Sequence, residues 1–292
     1  MREVGKSAVR AEALPAMPAP EGVRGLGMAG DNQITALVLA GSRPGIDPLA
    51  SAAGVATKAL APVAGTPMID YVARVLVMHP RIGKVVLMAQ QPDVLASDPA
   101  TMWLREHEKI CFAQSGRGIS QSLLDWVDRH RSGLPLLVTT ADNVLLDAVM
   151  IDAFLTHVDG ADIAAAMVER EVLMRDYPDS RRTWLRFRSG AWSGANLFWL
   201  GSDRACIALE KWREIEQDRK KGWKILSAFG AALLLGAAMR MLTIHQAIMR
   251  AGHKLGVHAR IVPMPMAEAC IDADKPDDIL LIERILAHRA RS

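Results

Sequence analysis

The sequence predicts an α/β protein built on a doubly wound, mostly parallel sheet. Three observations predict it. Short apolar runs, each the length of one buried strand, recur over residues 34–40, 84–89, 135–139 and 162–168. Segments with apolar residues at helical spacing lie between them, as over 71–78 and 120–130. The resulting order of strand, helix and strand is the unit of a parallel sheet with right-handed crossovers.

Residues 1–33 contain Pro15, Pro18 and Pro20 and show no sustained period. They read as a disordered leader ahead of one domain over 34–290, with Met28 as a candidate initiator. They lack the unbroken apolar core of a signal peptide. After the strand at 34–40, Gly65-Thr66-Pro67 reads as a turn and Met68 opens a helix that runs through 71–78. The strand at 84–89 comes next, then a shorter one at Ile110-Cys111-Phe112 and the helix at 120–130. The strand at 135–139 ends in the acidic turn Ala141-Asp142-Asn143. A helix over 149–157 and the strand at 162–168 complete this half.

From Thr183 the pattern changes. Residues 183–188 alternate as an exposed or antiparallel strand does, and Ser189-Gly190 is a turn signal. A further apolar strand covers 196–200. A charged helix over 207–220 and a long helical stretch over 225–252, read as two helices, make 203–256 a largely helical C-terminal insertion. The last strand is expected at 259–263 and the last helix over 276–288.

Composition narrows the function. A chain of 292 residues that is 50% apolar holds a sizeable core. A net charge of +3 gives no global case for nucleic acid, and two tyrosines with 5% aromatic residues argue against a base-stacking surface. Cys111, Cys206 and Cys270 are far apart and offer no zinc spacing, which suits a reducing cytoplasm. Residues 225–244 match a bilayer in length, but Arg240 interrupts them and Gly230 and Gly236 break them. They read as a buried or partner-facing helix pair, with a membrane-surface contact as the alternative.

The chemistry-bearing residues begin directly after the first strand. Gly41, Ser42, Arg43, Pro44 and Gly45 form a small-residue loop whose amides can approach an anion, and Arg43 adds a fixed positive charge. Lys58 lies in a second polar break. Strand, glycine-containing loop, lysine and helix thus come in the order a nucleotide-phosphate site uses. Asp142 stands at the carboxyl end of a buried strand, where open α/β sheets bind ligands. Gly116 and Ser120 lie in a small-residue loop at a helix start, which offers free N–H donors. Asp272 and Asp274 share one side of an extended segment, and Asp277 and Asp278 suit the cap of the last helix. Arg181, Arg182, Arg186 and Arg188 precede Ser193-Gly194-Ala195-Asn196, a turn-and-strand stretch. Each of these also has a plainer reading, as a turn, a cap or a solvated charged face.

Leu39-Ala40-Gly41, Lys58-Ala59-Leu60 and Gly65-Thr66-Pro67-Met68-Ile69 together resemble the signature of sugar-phosphate nucleotidyltransferases and MobA-like NTP transferases. That signature reads L-A-G-G-x-G-x-R, then P-K-x-L, then a Gly-x-Pro turn into a helix. The chain departs from it in the middle: Ser42 replaces the second glycine, Arg43 comes early, and Thr57 stands where proline precedes the lysine. Residues 112–124 resemble the loop with which cytidylyltransferases read a pyrimidine. Residues 139–146 resemble the family's Asp-x-Pro-Leu motif, and residues 270–279 its Asp-(Ile/Val)-Asp-Thr-Pro-Glu-Asp-Leu ending.

The resemblance implies a Rossmann-like sheet of the GT-A type and a cytoplasmic, Mg2+-dependent enzyme. It would move an NMP group, CMP favoured, from an NTP to a phosphorylated small-molecule acceptor and release pyrophosphate. It implies Arg43, Lys58 and Asp142 as catalytic residues, with Leu39, Ala40, Gly41, Ser42, Gly116 and Ser120 joining them on the nucleotide. Gly194 and Asn196 would hold the acceptor, and Asp142 and Asp272 the metal. Two alternatives stay open. A GT-A glycosyltransferase shares the sheet and the metal aspartate but usually carries Asp-x-Asp, whereas Thr140-Ala141-Asp142 has one acid. A nucleotide-binding protein without turnover would account for the altered loop. The acceptor and the oligomeric state are left undetermined.

Overall fold

The first apolar run is a strand, β1 (Ile34–Leu39). The structure, a computed structural model, describes residues 33–42, 45, 47–116, 118–130, 133–217 and 239–291. After β1 come α1 (Pro48–Ala53), the hairpin β2 (Pro62–Val63) and β3 (Thr66–Pro67), α2 (Met68–Met78), β4 (Ile82–Ala89), α3 (Pro92–Ser97) and α4 (Trp103–Glu106). The chain continues with β5 (Ile110–Gln114), α5 (Ile119–Arg129), β6 (Leu136–Thr140), α6 (Ala148–Leu155), β7 (Ile163–Glu169) and α7 (Arg170–Asp176). It ends with β8 (Leu185–Phe187), β9 (Gly190–Leu200), α8 (Ala205–Gln217), α9 (Ile244–Leu255), β10 (Ala259–Pro263) and α10 (Pro276–Arg289).

Among the described residues, eight strands form one sheet in the order β10-β7-β9-β6-β1-β4-β5, with β8 paired to β9. The pairs β1–β4, β1–β6, β4–β5 and β7–β10 are parallel. Of the described central strands, β9 runs the other way, antiparallel to both β6 and β7. Because side chains alternate along a strand, the two faces carry separate apolar sets. Leu37, Val86, Met88, Leu136 and Val138 pack against Leu123 and Leu124 of α5 and Leu209 of α8. Ala36, Val38, Val85, Leu87 and Leu137 pack with Ile69 and Leu76 of α2, Ile151 of α6 and Ile282 of α10. Both faces are covered, which is why the central strands read as unbroken apolar runs.

Several local readings change. Ser193-Gly194-Ala195-Asn196 is not a turn: it lies inside β9, an 11-residue strand. The register between β7 and β9 slips across Ala165 and Met167, and Asn196 there has φ 47°. This is a β-bulge, and asparagine is one of the few non-glycine residues at ease in that conformation. Lys58 sits not in an open break but in a three-residue 3-10 turn, Lys58–Leu60, capped by the Thr57 hydroxyl. Helix α1 gave no periodic signal because only Leu49 and Ala50 of its six residues are buried. Asp47 starts it by accepting from Leu49 N and Ala50 N.

The leader, apart from Gln33, and residues 225–238 of the apolar stretch lie outside the described residues. Any single long helix is broken at Arg240, where φ is 54°, and Thr243 caps α9 in a reciprocal pairing with Gln246. Ile244 of α9 then packs on Met167, Trp192 and Ile261. Among the described residues no helix is long and apolar enough to cross a membrane.

Candidate active site

The loops that leave β1, β4, β5 and β6 do so at one edge of the sheet. Leu39 of β1 pairs with Thr140 of β6 in parallel register. Past the strand ends, Ala141 N donates to Leu39 O at 3.0 Å, Ala40 N to Met88 O at 2.8 Å, and Ser115 N to Ala89 O at 2.8 Å. This is the carboxyl edge of the parallel strands, where open α/β sheets bind ligands.

Leu39 ends β1 and Ala40 is buried, so these two position the loop more than they expose it. At Ser42 the backbone is gripped by Gln90, the residue after β4. The amide oxygen of Gln90 accepts from Ser42 N at 2.9 Å, and its Nε2 donates to Ser42 O at 2.9 Å. A Cβ on Gly41 would fall 2.9 Å from Gln90 Nε2. Glycine at 41 therefore permits the close approach, and Gln90 holds the loop. Gln90 went unread in the sequence; its one signal was a polar residue at the carboxyl end of a buried strand. Arg43 lies outside the described residues.

Lys58 reaches the same edge from the 3-10 turn. Its ammonium donates to Asp142 Oδ2 at 2.6 Å and to Asp274 Oδ1 at 2.7 Å. The second oxygen of Asp142 accepts from the Thr140 hydroxyl at 2.5 Å. Burial pulls the Lys58 ammonium toward neutrality, but the two carboxylates outweigh it and hold its pKa above the usual lysine range. The lysine is therefore a fixed positive charge. The 272–274 segment is tied to this centre through its backbone, as Ala273 N donates to Asp142 O at 3.0 Å.

Asp272 faces different partners. The Arg182 guanidinium donates to its Oδ1, and Asn196 Nδ2 donates to its Oδ2 at 2.9 Å. The bulge in β9 is what turns Asn196 onto this carboxylate. Burial raises the Asp272 pKa, Arg182 lowers it, and Asp274 and Asp142 raise it further; the net shift is upward. The structure thus brings Lys58, Asp142 and Asp274 together and commits both oxygens of Asp272 to Arg182 and Asn196. Gly194 stands in β9, where an added Cβ would meet nothing within 4 Å. Of the carboxylates at this edge, Asp142 and Asp274 share Lys58, and Asp272 is taken up by Arg182 and Asn196. Among the described residues no group of three or more His, Cys, Asp or Glu side chains is arranged as a metal cage.

The loop between β5 and α5 closes the other side of the edge. Ser122 folds back over it: its hydroxyl accepts from Gly116 N at 2.9 Å and donates to Gly118 O at 2.7 Å. Ser120, in the first turn of α5, is fully buried. Arg117, in the same loop, lies outside the described residues.

The model of the MobA-like NTP transferase domain matches residues 36–241. The chain belongs to the MobA-like NTP transferase family. The match includes Gly41, Lys58, Asp142, Arg182 and Asn196; Asp272 and Asp274 lie beyond it. Among solved structures, a hypothetical transferase from Thermus thermophilus is similar with a TM-score of 0.69 and 24% identity, over 85% of this chain and 99% of that one. A 4-diphosphocytidyl-2C-methyl-D-erythritol synthase is similar with a TM-score of 0.55 and 13% identity, over 88% of this chain and 100% of the other. The synthase of that name from Anaerococcus prevotii DSM 20548 gives 0.53 and 9%, over 88% and 96%. At these identities the likeness is one of fold. None of the curated proteins matches the chain at a significant level.

Proposed function

We propose that this NTP transferase moves a nucleotidyl group from an NTP to a phosphorylated small molecule and releases pyrophosphate. The observation that carries the reading is the contact of Lys58 with Asp142 and Asp274, at the sheet edge where the Gly41–Ser42 loop also leaves. The reaction is in-line attack by an acceptor phosphate oxygen on the α-phosphorus. One P–O bond forms, the bond to the β-phosphate oxygen breaks, and pyrophosphate carries the electron pair away. No protein nucleophile is required, so the work is positioning and charge neutralisation.

The residues divide that work. The amide of Gly41 and the charge of Lys58 receive the triphosphate, with Arg43 as a second cation, while Gln90 holds the Ser42 backbone in place. Carboxylate oxygens without sulfur or imidazole suit a hard cation such as Mg2+, and one or two carboxylates suffice when phosphate oxygens complete the shell. Asp142 is the first candidate ligand. Asp274 already shares Lys58 with it, whereas Asp272 would become a ligand only as Arg182 withdraws. When bound, the ion neutralises charge on the triphosphate. Arg182 and Asn196 mark the acceptor side, and a buried arginine there favours an acceptor that carries phosphate.

CTP is the first nucleotide to try. The 112–124 loop resembles one that reads a pyrimidine, and two structures of the same fold are 4-diphosphocytidyl-2C-methyl-D-erythritol synthases. The test is a pyrophosphate-release screen of the four NTPs against phosphorylated sugars, polyols and alcohols with Mg2+. Acceptor-dependent release supports the proposal. Nucleotide binding without release under any pairing would favour the non-catalytic alternative.

A further inference from the structure

One guanidinium ties together three stretches of chain that lead into the site. Arg289 lies in the last turn of α10, where a cation also suits the helix dipole. Its Nη1 donates to Leu145 O at 3.1 Å. Its Nη2 donates to Glu268 Oε2 and lies 3.3 Å from Asp147 Oδ2. The other Glu268 oxygen accepts from the Tyr177 hydroxyl at 2.6 Å. Burial and the neighbouring Glu268 carboxylate raise the Tyr177 pKa, so the hydroxyl keeps its proton and goes on donating.

Each partner stands a few residues along the chain from a residue of the candidate site. Leu145 and Asp147 follow Asp142, Glu268 precedes Asp272 and Asp274, and Tyr177 precedes Arg182. Two of these three connections are packed into the core. Val144, Leu145 and Leu146 are buried between Asp142 and Asp147, and Ala269, Cys270 and Ile271 are buried between Glu268 and Asp272. A close-packed connection passes a shift along rather than absorbing it. The third runs through the exposed Pro178, Asp179 and Arg181, and the Tyr177 hydroxyl secures its start. The triphosphate side is held separately: Gln90 grips the Ser42 backbone and the Thr57 hydroxyl caps the Lys58 turn.

Resting on the proposal that Arg182 and Asn196 take the acceptor, we infer that Arg289 is a positioning residue for nucleotidyl transfer: through Leu145, Asp147, Glu268 and Tyr177 it sets the acceptor arm and the carboxylate arms against one another. Arg289 acts from outside the reacting centre, and its effect reaches the acceptor through Tyr177 and Arg182. The planar guanidinium holds its three partners in a fixed fork, which a lysine does not reproduce. Misplacing reacting groups by about 1 Å costs up to about a hundredfold in rate.

The test is steady-state kinetics on the full chain, using the NTP and acceptor that release most pyrophosphate with Mg2+ in the screen above. Wild type is compared with Arg289→Ala, Arg289→Lys and Tyr177→Phe, and each is unfolded in urea. Arg289→Ala should lower kcat by about tenfold and raise the acceptor KM by about tenfold, with the NTP KM within about twofold of wild type. Arg289→Lys keeps a charge beside Glu268, so it should recover most of the urea midpoint but little of the acceptor KM. Tyr177→Phe loses one hydroxyl and decides the matter if Arg289→Ala does not fold; it should raise the acceptor KM by about threefold. An acceptor KM that stays at the wild-type value, or an NTP KM that rises in step with it, would overturn the inference. So would an acceptor KM that recovers together with stability in Arg289→Lys, since that marks a structural role alone. If the wild type releases no pyrophosphate with any pair, the nucleotidyl-transfer reading itself fails, and this inference falls with it.

Discussion

Lys58 Nζ lies 2.6 Å from Asp142 Oδ2 across a chain separation of 84 residues. The same ammonium lies 2.7 Å from Asp274 Oδ1, 216 residues away. Three segments with no sequence proximity are thus fixed to one point. The short 3-10 turn and the parallel register of β1 and β6 put them there.

Asp142→Asn should abolish pyrophosphate release and leave the fold intact. The side chain leaves the end of β6 rather than the core, asparagine keeps its size, and Lys58 keeps its bond to Asp274. Activity should fall by at least about a hundredfold, as expected when a group acting on developing phosphate charge is removed. Circular dichroism should match the wild type. Near-normal turnover at ordinary magnesium would take Asp142 out of the site.

Gly41→Ala and Gln90→Ala should act as one. A methyl group at 41 displaces the Gln90 amide, and the truncation removes it, so each breaks the same two bonds to Ser42. Each should raise the KM for NTP by about tenfold, with the double variant no worse than either alone. Additive effects in steady-state kinetics would contradict this link.

Arg182→Ala should cost stability as well as acceptor binding. Arg182 and Asp272 are nearly enclosed, with 10% and 14% of their side-chain surfaces exposed. Removing one partner of such a pair costs about 3 kcal/mol, because the other charge stays buried and uncompensated. The double variant Arg182→Ala, Asp272→Ala should recover part of that loss in urea unfolding. A double variant as unstable as the sum would show that the two do not act as a pair.

The pH dependence has a definite sign. The Lys58 pKa is raised above 10.5 in the folded protein, since Asp142 and Asp274 outweigh its burial. Its contribution to stability is therefore fully present below pH 10.5 and is lost as pH rises through the folded value. Denaturation across ~pH 9 to 12 should show a decline above about pH 10.5 that is smaller in Lys58→Met. Cys270 also titrates late: burial pushes its thiol from 9.0 up to about 12. At about pH 8 it should stay a thiol and resist alkylation until the chain unfolds, checked by mass spectrometry of iodoacetamide-treated protein.

The sheet was legible because its strands are buried on both faces and its helices carry one apolar stripe, as β1, β4, β6 and α5 show. The placing of Lys58 and Asp142 near one sheet edge was legible, because the sequence sets each beyond a buried strand and a break. The division of labour between Asp272 and Asp274 was not. They differ by two residues in an extended segment, and their partners are chosen by a bulge around Asn196 that leaves no period in the sequence. Gln90 escaped for a related reason. It reaches into the Gly41–Ser42 loop from a distant segment, and local pattern carries no record of that.

Where a triphosphate and its ion bind is the point on which the proposed chemistry depends most directly. A crystal structure with a non-hydrolysable NTP and Mn2+ measures this, since the manganese can be located by its anomalous signal. The expected result is manganese on Asp142 and the triphosphate on the Gly41 amide and Lys58. A nucleotide bound elsewhere, with Lys58 still closed on Asp142 and Asp274 and no metal beside them, would contradict it.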